Sequence, residues 1–165
     1  MRGMPQDSQD LPRRVGSQRV LFVLADGARA RFVEQSAKSG DFVTLDEIDG
    51  REDLRQLRRE LRASHPVRTH DSTTPRSHAV GREDYFRQAK ETFTARVAEM
   101  AGAFLRERGF DEVFVAAPAR LIGPLRDQLS EQVSVVGTLE RDLTKTPDKA
   151  LSRWLASALS AEPEL

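Results

Sequence analysis

The chain has 165 residues, of which 32% are charged and 38% apolar, and its formal net charge is zero. This length suits one domain with one core, and the balanced charge excludes a protein that coats nucleic acid by bulk charge alone. The absence of cysteine excludes disulfides, thiol catalysis and cysteine-bound zinc. Because no apolar run reaches a membrane span of about 18 residues and no secretory core follows the first methionine, we predict a cytoplasmic protein without membrane contact.

The first half of the chain predicts a tail and an antiparallel meander. Residues 1–18 mix proline, glycine and charges without periodicity, which predicts a flexible N-terminal tail before a domain over 19–160. Val20–Leu24 is a continuous apolar run, typical of a central strand buried on both faces. Asp26 and Gly27 then indicate a hairpin turn, after which small or aromatic residues alternate with arginines in a second strand. A third strand follows the next glycine.

The middle of the chain changes to helical periodicity. Three leucines predict a helix over 51–63 that buries them, and the His65–Pro66 pair ends it. A polar loop over 67–81 then leads to a long helix over 82–108 with one apolar stripe. The leucines are Leu54, Leu57 and Leu61, and the stripe is Phe86, Ala89, Phe93, Val97, Met100 and Phe104.

The last third predicts a parallel crossover. Strands over 111–117 and 132–139 flank a helix over 119–130, and a final helix over 147–160 begins with Pro147 after an N-cap at Thr146. Parallel strands joined by a right-handed helical crossover extend the first three strands into one sheet. The sequence therefore predicts an α/β fold: a mixed five-stranded sheet with ribonuclease H-like topology, three antiparallel strands and then βαβ, flanked by helices.

Three segments in this order resemble the bacterial family of host attachment proteins. They are LADGARARF at 24–32, the strand and turn FDEVFVAAPARLIGPLR at 110–126, and ERDLT at 140–144, where Arg141 stands in place of the family's lysine. The resemblance covers about residues 19–160. That family is similar to the middle, catalytic domain of archaeal and eukaryotic peptide-chain release factors, which implies the same fold and a translation-associated function.

The resemblance does not extend to the catalytic loop of release factors. That loop carries Gly-Gly-Gln, whose glutamine and backbone position water against the peptidyl-tRNA ester. The corresponding region, 64–81, contains no Gly-Gly-Gln and offers SHPVR at 64–68 instead of the Asp-x-Pro-Gly-Arg of the bacterial family. We therefore expect the scaffold without peptidyl-tRNA hydrolysis, and no cofactor.

A stripe of arginines is the main candidate for binding. Four arginines follow each other at steps of four, three and four along one side of the helix over 51–63, and three more follow. Arginine forks pair with phosphates in bidentate fashion, whereas a solvated helix face in an arginine-rich chain has the same pattern. The candidates for RNA or anion binding are Arg51, Arg55, Arg58, Arg62, Arg68, Arg76 and Arg82, with Arg120 at the turn after the strand over 111–117.

Other constellations give weaker signals. The histidines at 65, 70 and 78 share one loop with Asp71, but their spacing matches no ligand pattern, so we predict no metal site. A two-metal nuclease would need converging carboxylates such as Asp26, Glu91 and Asp111, and Asp26 is better explained as a turn residue.

Three functions stay open. The leading one is a cytoplasmic protein that binds the ribosome, tRNA or another RNA. The second is a hydrolase or nuclease with altered catalytic residues. The third is an interaction protein for attachment to host cells. The oligomeric state does not follow from the sequence.

Overall fold

The structure, a computed structural model, describes residues 18–63 and 75–160, without the side chains of 75–80, 82 and 158–160. Most of the predicted tail over 1–18 and most of the predicted polar loop therefore lie outside the described residues.

Five strands form one mixed sheet in the spatial order β3-β2-β1-β4-β5. β1 pairs antiparallel with β2, and β2 pairs antiparallel with β3. β4 pairs parallel with β1, and β5 pairs parallel with β4. The predicted mixed five-stranded α/β fold is confirmed, and this order is compatible with a ribonuclease H-like topology. The strands are β1 Val20–Ala25, β2 Arg29–Gln35, β3 Phe42–Asp49, β4 Glu112–Ala117 and β5 Val135–Glu140.

Four α-helices and one short 3-10 turn accompany the sheet in the described part of the chain. Gly109 has a φ of +76° directly after the long helix and ends it in the left-handed conformation that glycine adopts without strain. None of the helices described is long and apolar enough to cross a bilayer. The helices are α1 Arg51–Ala63, α2 Pro75–Arg108, α3 Ala119–Ser130 and α4 Ser152–Ser160, and the 3-10 turn is Asp148–Ala150.

The sheet is covered on both faces, because β1 and β4 are apolar at nearly every position. On one face α2 and α3 contribute Val97, Phe104 and Leu125 to a cluster with Phe32, whose ring stacks on that of Phe104 at 5.3 Å. On the other face the segment before α4 and α4 itself contribute a second cluster with Phe22. As predicted, Val20–Leu24 is central and pairs with β4.

The long helix starts earlier than the sequence predicts. We expected it from Arg82, but α2 begins at Pro75, because proline is well suited to the first turn of a helix. Among the described side chains of α2, buried ones begin only at Thr94. The sequence of 75–82 also has no apolar period that would indicate a helix.

Two packing predictions are wrong. The leucines of α1 are half-buried and none is buried, because α1 lies at the rim of the domain and not on the sheet. The predicted apolar stripe of the long helix should pack its first residue, Phe86, on the sheet, but Phe86 is only half-buried and its ring lies under the guanidinium of Arg58 at 5.7 Å.

The last strand and helix are shorter than predicted. β5 starts at Val135, since the preceding residues form a turn in which Gln132 and Val133 donate to the carbonyl of Leu129. Pro147 is extended and precedes a 3-10 turn, so Thr146 is not the N-cap of a helix. The segment around Thr146 is held instead by hydrogen bonds to Arg31.

Candidate functional site at the carboxyl edge of the sheet

Four strands end at the same edge of the sheet, because β1, β3, β4 and β5 run in one direction and β2 runs against them. The residues that directly follow these strands are Asp26, Gly50, Pro118 and Arg141. Open α/β sheets usually place their ligands at this edge. It is also where the three segments that carry the family resemblance end or turn.

The first and third of these segments meet through Asp26 and Thr144. One oxygen of Asp26 accepts the backbone N–H groups of Ala28 and Arg29 at 2.8 and 2.7 Å, which makes Asp26 the turn residue that the sequence predicts. Its other oxygen lies 3.2 Å from the Thr144 hydroxyl. That hydroxyl has a single proton, and it lies closer to Asp142, at 2.6 Å.

Arg31 joins β2 to the loop before α4 from inside the domain. The residue is only 6% exposed, although it is an arginine in the middle of a strand. Its Nη1 donates to the carbonyl oxygens of Leu143 at 2.9 Å and Thr146 at 2.6 Å, with a longer contact to that of Thr144 at 3.3 Å. Backbone carbonyls thus satisfy one arm of the guanidinium.

The other arm of Arg31 binds Thr44 and Asp148. Nη2 donates to Asp148 at 2.6 Å and to the Thr44 hydroxyl at 3.1 Å. Asp148 in turn accepts the hydroxyl and the backbone N–H of Thr44 at 2.6 and 3.0 Å. Burial raises the pKa of Asp148, but the hydrogen bonds from Thr44 and Arg31 outweigh it, so its net pKa lies below the ordinary value. We call Arg31, Thr44, Thr144 and Asp148 the Arg31 network.

The Arg31 network has the geometry of a structural cross-link. Its donors and acceptors are paired with one another, and a fully paired buried polar network fixes one arrangement of the chain. The sequence did not identify it, since periodicity places Arg31 on a face of β2 but does not say that this face is covered. β2 also contains Arg29, Glu34 and Gln35, so no pattern in the sequence distinguishes Arg31 from the other polar residues of the strand.

The arginines of α1 have the opposite environment. Arg51 pairs with Asp49 at 2.7 Å, and Glu52 pairs with Arg55 at 2.8 Å and Arg59 at 3.4 Å. The three arginine side chains remain 51–56% exposed in these pairs. Hydrogen bonds from Arg51 lower the pKa of Asp49, and those from Arg55 and then Arg59 lower the pKa of Glu52. These pairs are solvated.

The remaining predicted binding residues are dispersed. Arg58 covers the Phe86 ring and Arg62 is exposed on the last turn of α1. Arg68 lies outside the described residues, and Arg76 and Arg82 belong to α2 with side chains that are not described. Arg120 is exposed in the first turn of α3, on a different helix from the stripe. The structure brings only Arg51, Arg55, Arg58 and Arg62 together, on α1.

No group of three or more metal-binding side chains occurs within residues 18–63 and 75–160, as far as side chains are described. Of the carboxylates considered for a nuclease, Asp26 caps its own turn, and Glu91 is exposed on α2. The loop with the histidines at 65 and 70 is outside the described residues.

The fold and the Arg31 network define a mixed α/β domain whose first hairpin is fastened to the loop before its last helix. The family model of proteins required for attachment to host cells matches residues 21–155, and the chain belongs to this family. The resemblance that the sequence shows is thereby confirmed.

Among solved structures, the crystal structure of the archaeal translation termination factor aRF1 is similar at 13% sequence identity and a TM-score of 0.43. The similarity covers 86% of this chain and 39% of the termination factor. It is weak and says nothing of activity. A comparison with curated proteins finds no match.

Proposed function

We propose that the protein binds RNA, in the ribosome, in tRNA or in another RNA, through the arginines of α1, and that it does not hydrolyse peptidyl-tRNA. One observation carries this proposal. All five arginines of α1, including Arg58 and Arg62, are exposed. The side chains of Arg51, Arg55 and Arg59 stay more than half exposed although each forms an ion pair. Guanidinium groups are thus held in a row at the surface and stay accessible to a partner.

The existing ion pairs do not prevent such binding. Exposed pairs of this kind contribute only about 0–1 kcal/mol each, whereas a phosphate accepts an arginine fork in bidentate fashion and with a charge-assisted hydrogen bond. α1 contains five arginines against three acidic residues. A local excess of positive charge therefore exists on a chain whose net charge is zero.

The absence of Gly-Gly-Gln from the whole sequence supports binding without peptide release. In a release assay on ribosomes that carry labelled peptidyl-tRNA, the protein should not release labelled peptide faster than the background rate. Release at a rate comparable to that of a true release factor would contradict this part of the proposal.

Co-sedimentation with ribosomes at two salt concentrations, roughly 50 and 200 mM, tests binding directly. Phosphate contacts release counterions, so bound protein should decrease clearly at the higher concentration. At the lower salt concentration, less of the triple variant Arg55→Gln, Arg58→Gln and Arg62→Gln than of wild type should co-sediment with ribosomes. A matched control replaces the exposed Arg106, Arg126 and Arg153, which lie on α2, α3 and α4, by glutamine. The proposal fails if wild type does not sediment or if both triple variants behave alike.

Two other functions remain as candidates. A role in attachment to host cells is favoured by the description of the family, and it predicts that cells lacking the protein adhere less to their host while RNA binding is absent. A hydrolase or nuclease with altered residues would degrade the RNA during the binding experiment. A gel of the recovered RNA distinguishes that outcome from binding.

A further inference from the structure

A pocket of about 200 Å³ lies between the β1–β2 turn, the first turn of α1 and the middle of α2. Its walls include the half-buried Leu54, Ala89 and Phe93, which provide an apolar surface. Its polar side chains are Asp53, Thr92 and Arg96. It is distinct from the Arg31 network and from the arginine pairs of α1.

The backbone shapes one end of this pocket. The N–H of Gly50 donates to the carbonyl oxygen of Ala28 at 2.7 Å and brings the start of α1 against the β1–β2 turn. A Cβ atom at Gly50 would lie 3.1 Å from that oxygen, which is a tight contact. The main chain therefore holds the start of α1 against the β1–β2 turn at this end of the pocket.

The two charged side chains of the pocket differ from their neighbours. Glu52 pairs with two arginines and Glu60 accepts from Gln56, whereas Asp53 has no ion pair or hydrogen bond within the part of the chain that the structure describes. Within that same part, Arg96 also lacks a partner. Both line one pocket without forming an ion pair with each other. Both side chains are exposed, so water solvates them and they are accessible to a ligand. A ligand with one positive and one negative group would match the two charges.

The size of the pocket limits the ligand. Its volume of about 200 Å³ is smaller than the range of about 300–1,000 Å³ typical of drug-sized sites. This suits a small ligand such as a free amino acid. The apolar wall favours an amino acid with an apolar side chain.

We propose that this pocket binds a free apolar α-amino acid. Asp53 accepts the ammonium group, Arg96 donates to the carboxylate, and the side chain lies on Leu54, Ala89 and Phe93. The Thr92 hydroxyl lies in the same wall and offers one more hydrogen bond. The inference is independent of RNA binding, because it uses none of the arginines assigned to that function.

Titration of the ¹⁵N-labelled protein with L-leucine and L-phenylalanine tests the proposal. Amide signals of residues that line the pocket should shift on saturation. N-acetyl-leucine lacks the ammonium and leucinamide lacks the carboxylate. The affinity for each should therefore be lower than that for L-leucine by a factor of about 10 or more. No shift up to millimolar L-leucine and L-phenylalanine, or equal binding of the blocked analogues, would overturn it.

Two variants assign the contacts. Asp53→Asn should lower the affinity for L-leucine about 10-fold. It should not change the affinity for N-acetyl-leucine, because that ligand has no ammonium group for Asp53 to bind. Arg96→Gln should likewise lower the affinity for L-leucine and leave the affinity for leucinamide unchanged. Asp46→Asn and Arg126→Gln are matched controls at exposed positions outside the pocket. Equal loss for a pocket variant and its control, with the fold intact, would contradict the assignment.

Discussion

Arg31 and the arginines of α1 carry the same guanidinium group in opposite surroundings. Arg31 is buried and bound by backbone carbonyls, a hydroxyl and a carboxylate. Arg51, Arg55 and Arg59 are about half exposed and bind carboxylates at the surface, and Arg59 also donates to the Gln56 amide oxygen at 2.8 Å. The comparison teaches that residue type does not decide role, since a buried, fully paired arginine stabilises the fold while an exposed one stays available to a partner.

Removal of Arg31 should have the largest effect. Arg31→Met keeps much of the stem but removes the donor of the Leu143 and Thr146 carbonyl oxygens and leaves Asp148 with Thr44 as its hydrogen-bond donor. Each buried carbonyl oxygen that loses its donor typically costs about 1–3 kcal/mol in the free energy of unfolding, and the lost pair with Asp148 adds less because that side chain is 40% exposed. Urea denaturation measures this loss. An unfolding midpoint equal to that of wild type would contradict the role assigned to the Arg31 network.

Thr44→Val should lower the free energy of unfolding by less than Arg31→Met does, by about 1–3 kcal/mol. Valine has nearly the same shape as threonine but neither accepts from Arg31 nor donates to Asp148. The same denaturation experiment measures the loss. Thr138→Val is the control, because Thr138 is exposed on β5 and is no part of the network. A larger loss in the control than in Thr44→Val would show that the network is not the cause.

Asp148→Asn should have a smaller effect that depends on pH. The folded-state pKa of Asp148 lies below its ordinary value of 3.8, so its charge stabilises the fold above that value. The contribution is lost as pH falls through the lower folded pKa. Since the side chain is 40% exposed, we expect about 1 kcal/mol or less at pH 7.

Unfolding free energies of wild type and Asp148→Asn measured from pH 7 to pH 3 check this sign. The two curves should converge as the solution becomes more acidic. A difference that grows below pH 4 would contradict the lowered pKa.

The three α1 replacements by glutamine should have the smallest effect on stability, within about 0.5 kcal/mol. Glutamine keeps the helix propensity and much of the stem, and none of the three side chains is buried. Thermal unfolding measures the change. A loss of several kcal/mol would place these arginines in the fold and not at a free surface.

The sequence predicts the centre of this fold better than its periphery. Val20–Leu24 is recognisable because a strand buried on both faces must be apolar throughout. The start of α2 is not recognisable, because the sequence of its first turns carries no apolar period. Apolar periodicity indicates which side chains are buried, so a helical segment without such a period is not recognised from the sequence.

The candidate sites show the same division. The spacing of the arginines on α1 follows from helical geometry and is visible in the sequence. The Arg31 network joins residues more than a hundred positions apart, such as Arg31 and Asp148, so only the tertiary fold reveals it. The pocket is equally nonlocal, since Asp53 and Arg96 belong to different helices.

The central claim is that Arg31 stabilises the fold whereas the arginines of α1 bind RNA. One pair of variants tests it most directly when both the free energy of unfolding and the affinity for single-stranded RNA are measured. Arg31→Lys keeps the charge but loses the fork, so it should lower stability and leave RNA affinity unchanged under conditions where the protein is folded. The α1 triple variant should keep its stability and bind RNA more weakly, with a log–log salt slope flatter by about 2 for three lost phosphate contacts. RNA affinity that falls in folded Arg31→Lys, or that is unchanged in the α1 variant, would contradict the account.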